Sequence, residues 1–391
     1  MKNILSAILF IAFALLLTQA QLSSYCIYQD QKAKECAFYD SLQQNFGGVN
    51  LPKYKVNLDL SYKDRWREII TNYKNPIQMF ANFLQSSDGF KQIEQLFPLY
   101  SDPNFLNELQ AISDLSGVSF TSIQLFSQMY EILGSIACTS IIARNPDGSI
   151  VHGRNLDYGF FQQISPLLAN IEFQRNGKTV FFADMVIGTA IVVTGVVPNG
   201  FSITINQRDV DQQSLSYLKQ QYIPACYLIY QVLQTNTTYQ DALNTLLNTK
   251  VAMPAYLNIA GVSGNQGNVI EKNRESNSLQ TTLSESTWFI CQTNYDRSIP
   301  DPQSDYRRLP CEQKMSQLNQ SSWQPQEMFN ILSQQPNFVQ STIATDIMVP
   351  KTGFINSTRW FNPPPIMQQI QQKLYKQTLQ AVTVFILIFI L

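Results

Sequence analysis

The spacing of apolar residues predicts that the first part of the chain, Gln21–Ala137, is mostly helical. Asp64–Tyr73, Pro76–Gln85 and Phe120–Ile136 carry apolar residues every three to four positions, as a helix with one buried face does. Tyr54–Leu60 alternates apolar and polar residues, which predicts an early strand. We therefore expect one strand followed by several helices in this part.

From Cys138 onward the pattern predicts strands, then helices, then strands again. The predicted strands are Leu168–Arg175, Lys178–Asp184, Ile191–Val197, Phe201–Asn206, Tyr256–Val262, Asn268–Lys272, Thr287–Thr293 and Ser341–Val349. The predicted helices are Leu215–Leu233, Tyr239–Leu247 and Pro325–Ser333. This order predicts an α+β fold in which two antiparallel sheets are covered by helices.

The segment Cys138–Tyr158 predicts a β-hairpin that begins with a thiol. Its turn, Asn145–Gly148, reads Asn-Pro-Asp-Gly, and both flanks are rich in residues that favour strands. Two pairings fit this turn. One places Cys138 opposite Asn155, and the other, with a bulge at the turn glycine, places it opposite Arg154.

Either pairing sets Arg154 and Asp157 beside the Cys138 thiol. A cation lowers the pKa of a cysteine, and a carboxylate can orient a neighbouring donor. The single histidine of the chain, His152, would pair near Ile141, roughly 10 Å from the thiol at the rise of a strand. A Cys–His dyad is therefore disfavoured.

A cysteine nucleophile without a histidine can use its own α-amine as the base when it is the N-terminal residue. That would require cleavage between Ala137 and Cys138. The freed amine would have a pKa near about 8, which suits a general base. Taken alone, a buried structural cysteine is the commoner fate of a free thiol.

The residues Cys138-Thr-Ser-Ile-Ile-Ala143 and His152-Gly-Arg-Asn-Leu-Asp-Tyr158 resemble the acid ceramidase and N-acylethanolamine acid amidase family. Other segments that resemble this family are Tyr54–Leu60, Arg65–Glu68, Phe173–Phe181, Gln292–Arg297 and Asp305–Arg308. The family consists of N-terminal-nucleophile (Ntn) cysteine hydrolases in the choloylglycine hydrolase superfamily. The resemblance implies an αββα sandwich, autocatalytic cleavage into two subunits, and hydrolysis of lipid amides without a cofactor.

The resemblance also implies roles for individual residues. Cys138 would be the nucleophile, Arg154 would contact it, and Asp157 would hold the α-amine. Asn294 would donate to the oxyanion, and Arg307 matches a functional arginine of the family. Taken alone, Asn294 would be an ordinary turn residue and Arg307 an ordinary surface arginine.

We assign Asn206 and Gln207 to substrate binding on the same basis. The family has Glu where this chain has Gln207, so one charge is lost here and the pH profile of self-cleavage is expected to differ. This departure supports an alternative of another class, a catalytically impaired homologue that binds lipid.

Six cysteines occur in the chain, at Cys26, Cys36, Cys138, Cys226, Cys291 and Cys311. With one histidine and no Cys-x-x-Cys, a zinc site is not expected. The resemblance implies a disulfide that joins the two subunits. We assign it to Cys36–Cys311, with Cys26–Cys311 as the second choice.

The chain is expected to follow the secretory pathway. We divide it into a signal peptide (Met1–Ala20), a mostly helical α-subunit or pro-segment (21–137), a catalytic β-subunit (138–366), and a Gln-rich spacer with an apolar tail (367–391). The tail is too short to span a bilayer, and a GPI signal would lack a small-residue attachment site. Sequons occur at Asn236, Asn319 and Asn356.

A lysosomal or extracellular location follows from these features, with membrane association through the tail as an open alternative. The net charge of −1 gives no support for nucleic-acid binding. The resemblance implies a saposin-like activator and a membrane surface as partners.

Gln174–Asn176, Lys178–Phe181 and Pro254–Tyr256 look more like ceramidase, whereas Leu156–Tyr158 looks more like the ethanolamide amidase. Ceramide is therefore the expected substrate, and an N-acylethanolamine is the alternative.

Overall fold

Two sheets and their covering helices make up the part of the chain that the computed structural model describes, residues 48–96, 100–132, 136–158, 161–208, 213–302, 305–339 and 341–360. The strands are β1 (Gly48–Asn50), β2 (Lys53–Asn57), β3 (Ile136–Arg144), β4 (Ile150–Tyr158), β5 (Leu168–Arg175), β6 (Lys178–Val186), β7 (Thr194–Val197), β8 (Phe201–Gln207), β9 (Ala255–Ala260), β10 (Gly267–Lys272), β11 (Asn277–Thr282), β12 (Phe289–Gln292), β13 (Thr342–Val349) and β14 (Phe354–Trp360). The helices are α1 (Tyr62–Gln85), α2 (Asp88–Glu94), α3 (Pro103–Ser116), α4 (Phe120–Ile132), α5 (Phe161–Ile164), α6 (Gln213–Lys219), α7 (Ala225–Thr235), α8 (Tyr239–Asn248), α9 (Arg308–Ser316) and α10 (Pro325–Leu332), with a 3₁₀ turn at Ser165–Leu167.

The two sheets pack face to face and confirm the predicted α+β architecture. One sheet has the order β1-β14-β13-β4-β3-β12, and the other has the order β11-β10-β9-β8-β7-β6-β5-β2. All neighbouring strands are antiparallel except β2 and β5, which run parallel. Helices α7 and α8 cover the eight-stranded sheet, and α9 and α10 cover the six-stranded sheet.

Three helix predictions need correction. The predicted helix Phe120–Ile136 ends at Ile132, because Ile136 already pairs with Tyr158 as the first residue of β3.

Proline is involved in the other two corrections. The predicted pair Asp64–Tyr73 and Pro76–Gln85 is one helix, α1, with Pro76 buried inside it. Its two halves bury one continuous apolar face, and that packing outweighs the local cost of an interior proline. The predicted helix Leu215–Leu233 is instead two helices, α6 and α7, separated by Pro224 at the N-cap of α7.

The hairpin that begins at Cys138 forms as predicted, but its register differs by one residue from the first predicted pairing and by two from the bulged one. Arg144 pairs with Ile150, so Cys138 lies opposite Leu156. The reason is a five-residue connection, in which the Asn145 amide donates to the Ser149 carbonyl at 2.7 Å. Ser149 therefore closes the loop, and the ladder starts one residue later than expected.

Several predictions fall outside the described residues, namely the signal peptide, Cys26, Cys36 and the C-terminal spacer and tail. Among the helices that the structure does describe, none combines the length and apolar character needed to cross a membrane. The described residues also contain no cluster of His, Cys, Asp or Glu able to hold a metal ion.

Candidate active site

The thiol of Cys138 is completely buried and receives a hydrogen bond from Arg154. The donor is Arg154 Nη2, 2.9 Å from Sγ. Arg154 reaches the thiol diagonally, because it stands two residues before Leu156, the residue opposite Cys138. Burial raises the pKa of the thiol above its ordinary value, and the Arg154 charge opposes that rise. The arginine is therefore placed to stabilise a thiolate.

Arg154 is held rigidly by acceptors from the facing sheet. Its Nη1 donates to the Val193 carbonyl at 3.1 Å and to Thr194 Oγ1 at 2.7 Å. Its Nη2 also donates to the Ile205 carbonyl at 3.3 Å. These bonds fix the guanidinium, so its position beside the thiol does not depend on the thiol itself.

The backbone nitrogen of Cys138 is bound by Asn294, which follows β12. This nitrogen donates to Asn294 Oδ1 at 2.7 Å, and Asn294 Nδ2 donates to the Gln207 carbonyl at 2.8 Å. Sequence reasoning expected Asn294 to donate to an oxyanion. In the uncleaved chain the Asn294 oxygen instead accepts from the Cys138 nitrogen, which would become the α-amine after cleavage. The Asn294 side-chain nitrogen already donates to the Gln207 carbonyl.

Arg307 occupies the centre of this polar cluster and is almost fully buried. Its Nη2 donates to Asn294 Oδ1 at 2.8 Å and to Asp305 Oδ2 at 2.7 Å. Its Nη1 donates to Asp157 Oδ2 at 2.9 Å and to Thr139 Oγ1 at 3.3 Å. Spacing alone would have made Arg307 a surface residue, whereas the fold turns it into the link between the strands around Cys138.

Asp157 lies opposite Ala137 in the hairpin, next to the Ala137–Cys138 bond. It accepts from Arg307 and, at 2.6 Å, from Thr342 Oγ1 on β13. Complete burial nevertheless raises its pKa to about 6, because desolvation of the carboxylate outweighs the attraction of Arg307. Asp157 can therefore change its charge within the range of mildly acidic pH.

The remaining sequence-predicted residues have structural contacts of their own. His152 bonds to Ser202 Oγ at 2.9 Å and to Thr204 Oγ1 at 3.2 Å, and burial lowers its pKa to about 3. It is therefore neutral and is engaged away from the thiol. Asn206 is completely buried, donates to the Gln292 and Thr293 carbonyls, and accepts from Ser140.

Gln207 connects the site to helix α4, since its Nε2 donates to the Tyr130 carbonyl at 3.1 Å. The assignment of Asn206 and Gln207 to substrate binding stays a prediction.

Of the sequons, Asn319 is exposed and Asn236 is half-buried. Asn356 lies within β14 with its side-chain nitrogen buried, which argues against a glycan there.

The disulfide assignment to Cys36–Cys311 is wrong in this structure, because Cys311 is bonded to Cys291. Helix α9 packs on β12 and brings the two Cα atoms within 6.3 Å. Both cysteines follow Cys138, so this bridge does not join the two sides of the proposed cleavage. Cys36 and Cys26 lie outside the described residues.

Sequence reasoning missed three contributors to the site. Asp305 had a signal, since it belongs to the Asp-Tyr-Arg-Arg segment that resembles the family. Thr139 had the same kind of signal, since it belongs to the Cys138–Ala143 segment that resembles the family. Thr342 had no local signal of a role, because a single threonine is common on any strand. Their contacts to Arg307 and Asp157 exist only because β3, β4 and β13 are neighbours in the sheet.

Comparison with known proteins agrees with this geometry. Residues 138–280 match the family of linear amide C–N hydrolases, choloylglycine hydrolase family, so the match begins at Cys138. Residues 49–93 match the beta subunit of N-acylethanolamine-hydrolyzing acid amidase. The two matches lie on opposite sides of the Ala137–Cys138 bond.

Individual relatives extend the likeness over most of the chain. Acid ceramidase of Mus musculus is 29% identical over 333 residues, which cover 76% of this chain and 83% of the relative. Acid ceramidase of Homo sapiens is 29% identical over 330 residues with the same coverage. The solved structure of the Caenorhabditis elegans N-acylethanolamine-hydrolyzing acid amidase ortholog shares 30% identity and a TM-score of 0.50, covering 55% of this chain and 93% of that chain. The chain therefore belongs to the acid ceramidase and N-acylethanolamine acid amidase family of Ntn amide hydrolases, within the choloylglycine hydrolase superfamily.

Proposed function

We propose that this protein hydrolyses lipid amides with the thiol of Cys138, after its own chain is cut at Ala137–Cys138. The single observation that carries the proposal is the convergence of two arginines on one cysteine. Arg154 binds the sulfur, while Arg307 is bound to Asn294, which accepts from the nitrogen. A buried structural cysteine has no need of either arrangement.

Cleavage would begin with attack of the Cys138 sulfur on the Ala137 carbonyl carbon. The tetrahedral intermediate would collapse with loss of the Cys138 nitrogen, leaving a thioester on sulfur and a free amine. Water would then open the thioester, which gives a new carboxylate on Ala137 and returns the thiol. Asn294, already bonded to the Cys138 nitrogen, would hold the amine as it leaves.

Substrate turnover would repeat this chemistry on an external amide. The Cys138 amine would accept the thiol proton, and the thiolate would attack the amide carbonyl of the lipid. The proton would pass to the departing amine, leaving an acyl thioester that water hydrolyses to a fatty acid. The ordinary pKa of an α-amine, about 8, suits a general base.

Mass spectrometry of the purified protein tests the cleavage directly. We expect two polypeptides with a new N-terminus at Cys138, and a Cys138→Ala variant that stays uncut and hydrolyses nothing. The matched control is Cys226→Ala, since Cys226 is another buried free cysteine but makes none of the contacts above. An active, uncut Cys138→Ala protein would refute the proposal.

For the substrate we propose ceramide, cleaved to a sphingoid base and a fatty acid. The support is the segments that look like ceramidase, together with the acid ceramidases that cover most of the chain. The 30% identity to an N-acylethanolamine-hydrolyzing amidase supports the alternative substrate. Turnover of ceramide and of palmitoyl ethanolamide should be compared at about pH 4.5–5.5, where carboxylates near pKa 4 are mostly charged. A clear preference for the ethanolamide would overturn the choice of ceramide.

The impaired-homologue alternative rests on Gln207 and has its own test. A Gln207→Glu variant would place a carboxyl group against the Tyr130 carbonyl, where only its protonated form can donate. If the glutamine limits activity, this variant should cleave itself and turn over substrate faster at acidic pH. Failure of both proteins to hydrolyse either lipid would favour the impaired homologue.

We also infer a secretory-pathway protein that acts in the lysosome or outside the cell. The apolar segment Met1–Ala20 and the exposed sequon at Asn319 support this location. A saposin-like activator and a membrane surface remain the proposed partners. Hydrolysis of ceramide in vesicles with and without an added saposin tests both.

A further inference from the structure

Two buried carboxyl groups, Asp184 on β6 and Asp346 on β13, meet between the two sheets, where neither has a catalytic assignment. Thr194 pairs with Asp184 across β7 and β6 and donates to Asp346, while Ser357 pairs with Asp346 across β14 and β13 and donates to Asp184. The two carboxyl groups, each at most 3% exposed, therefore face each other between the sheets. Two carboxylates cannot bond without a proton between them, and two like charges in a desolvated site repel strongly. A single proton held between the two carboxyl groups would relieve this repulsion.

The surroundings decide which carboxyl carries the negative charge. Asp184 accepts from Asn170 Nδ2 at 2.7 Å and from Ser357 Oγ. Among the described residues, the side-chain donor to Asp346 is Thr194 Oγ1, at 3.1 Å, and none of them donates to its Oδ1. Donors stabilise the charged form, so the charge belongs on Asp184 and the proton on Asp346.

The Thr194 hydroxyl links Asp346 to Arg154, the arginine that donates to the Cys138 sulfur. It stands directly opposite Arg154 in the β13–β4 pairing. Thr194 accepts from Arg154 Nη1 at 2.7 Å and donates to Asp346, while Arg154 Nη2 contacts the Cys138 sulfur. A continuous path of hydrogen bonds thus runs from the acid pair to the thiol.

The other buried ionisable side chains on the strands around the pair are His152 and Asp157 on β4 and Arg359 on β14. His152 is neutral, as its lowered pKa of about 3 shows, and Asp157 is bonded to Arg307. Burial raises the pKa of Asp346 well above the ordinary range, and the Asp184 charge adds to the rise. Burial also raises the pKa of Asp184, whereas the hydrogen bonds from Ser357 and Asn170 lower it. The positive charge of Arg154 lowers the pKa of both carboxyl groups.

We propose that the Asp184–Asp346 pair is a positioning device that keeps the negative charge away from Arg154 and so lets Arg154 stabilise the Cys138 thiolate. If the charge moved to Asp346, the guanidinium would be shared between a carboxylate and the sulfur, and the thiol would ionise less readily. This inference rests on the proposed role of Cys138 as the nucleophile. It adds two residues that act through Arg154 without touching substrate.

Two isosteric variants separate this role from a structural one. Asp184→Asn leaves Asp346 as the sole carboxyl, with no like charge to keep it protonated, so the charge moves next to Arg154. We expect the thiol pKa to rise by about one unit, a tenfold lower thiolate fraction at a fixed pH below the pKa. Asp346→Asn keeps the charge on Asp184 and a neutral donor beside it. In this variant the thiol pKa should stay within a few tenths of a unit of the unmodified value.

The readout is the ultraviolet absorbance of the thiolate as pH rises, with each protein corrected by its own Cys138→Ala counterpart. This measurement needs no lipid substrate, so a failure of the proposed lipid hydrolysis leaves it interpretable. Equal shifts in both variants, or no shift in Asp184→Asn, would overturn the proposal. If Asp184→Asn fails to fold, Ser357→Ala replaces it. Loss of that donor moves the proton toward Asp184 and should raise the thiol pKa in the same direction by a smaller amount, and an unchanged titration would refute the role.

Discussion

Arg307→Met, made in the uncleaved Cys138→Ala chain, removes the cation at the centre of the site. The variant loses the bonds of Arg307 to Asp157, Asn294 and Asp305. Asp157 is then a completely buried carboxyl group with only Thr342 as a side-chain donor. The expected consequence is a loss of stability that depends on pH, because Asp157 without its cationic partner can become neutral by taking up a proton.

The sign follows from the pKa of Asp157, which is raised from 3.8 to about 6 in the folded protein. A raised carboxyl pKa means that stability falls as pH rises from about 4 to about 6 and then levels off, when Arg307 is present. Without Arg307 the pKa rises further, so stability continues to fall above pH 6. Two further pH units at about 1.4 kcal/mol each give an added loss of up to about 3 kcal/mol at pH 8. This agrees with the roughly 3–5 kcal/mol expected when one partner of a buried ion pair is removed.

Urea unfolding followed by tryptophan fluorescence, at several values between about pH 5 and pH 8, measures this difference. The matched control is Arg67→Met in the same background. Arg67 is exposed and paired with exposed Asp64 three residues before it, so its removal should leave the unfolding midpoint unchanged at every pH. A loss in Arg307→Met that is the same at pH 5 and pH 8 would show that the Asp157 charge is not what Arg307 stabilises.

Three further substitutions test the scaffold around the site. The stability of the unmodified protein should fall below about pH 6.5, because His152 takes up a proton there in the unfolded chain but only near pH 3 in the folded one. His152→Gln should make this fall shallower, and an unchanged pH slope would contradict the reasoning. Gly153→Ala should lower the stability by about 1–3 kcal/mol, since the added Cβ would lie 2.8 Å from a methyl group of Leu332, and a neutral result would mean that α10 moves freely on the sheet. Replacement of both Cys291 and Cys311 by serine should cost about 2–4 kcal/mol in thermal unfolding, whereas no change would show that the bridge is absent in solution.

Local chemistry in the sequence was enough to predict the hairpin that carries Cys138. The Asn-Pro-Asp-Gly turn and its strand-forming flanks place Arg154 near Cys138 in any register of one hairpin. The pairing itself could not be read locally, because the bond between Asn145 and Ser149 added one residue to the loop. A shift by one residue changes which side chains share a face, so the diagonal contact of Arg154 required the folded sheet.

Contacts between residues far apart in the chain could not be predicted from the sequence, for a similar reason. Arg307 and Asp305 follow Asp157 by about 150 residues, and only the packing of α9 against β12 brings them to the hairpin. The same packing pairs Cys311 with Cys291, against the sequence-based choice. Such partners are selected by the energy of burying whole elements, which no short window of sequence contains.

The sequence by itself determined most strands and helices and the residue types around Cys138, because periodicity and turn chemistry are local properties of the chain. Only the tertiary structure decided the charge state and partners of those residues. Asp157 has a pKa near 6, and the pKa of Asp184 is raised, because the two sheets close over both groups and desolvate them. Desolvation depends on every element that covers a group, so it exists only once the whole sandwich has assembled.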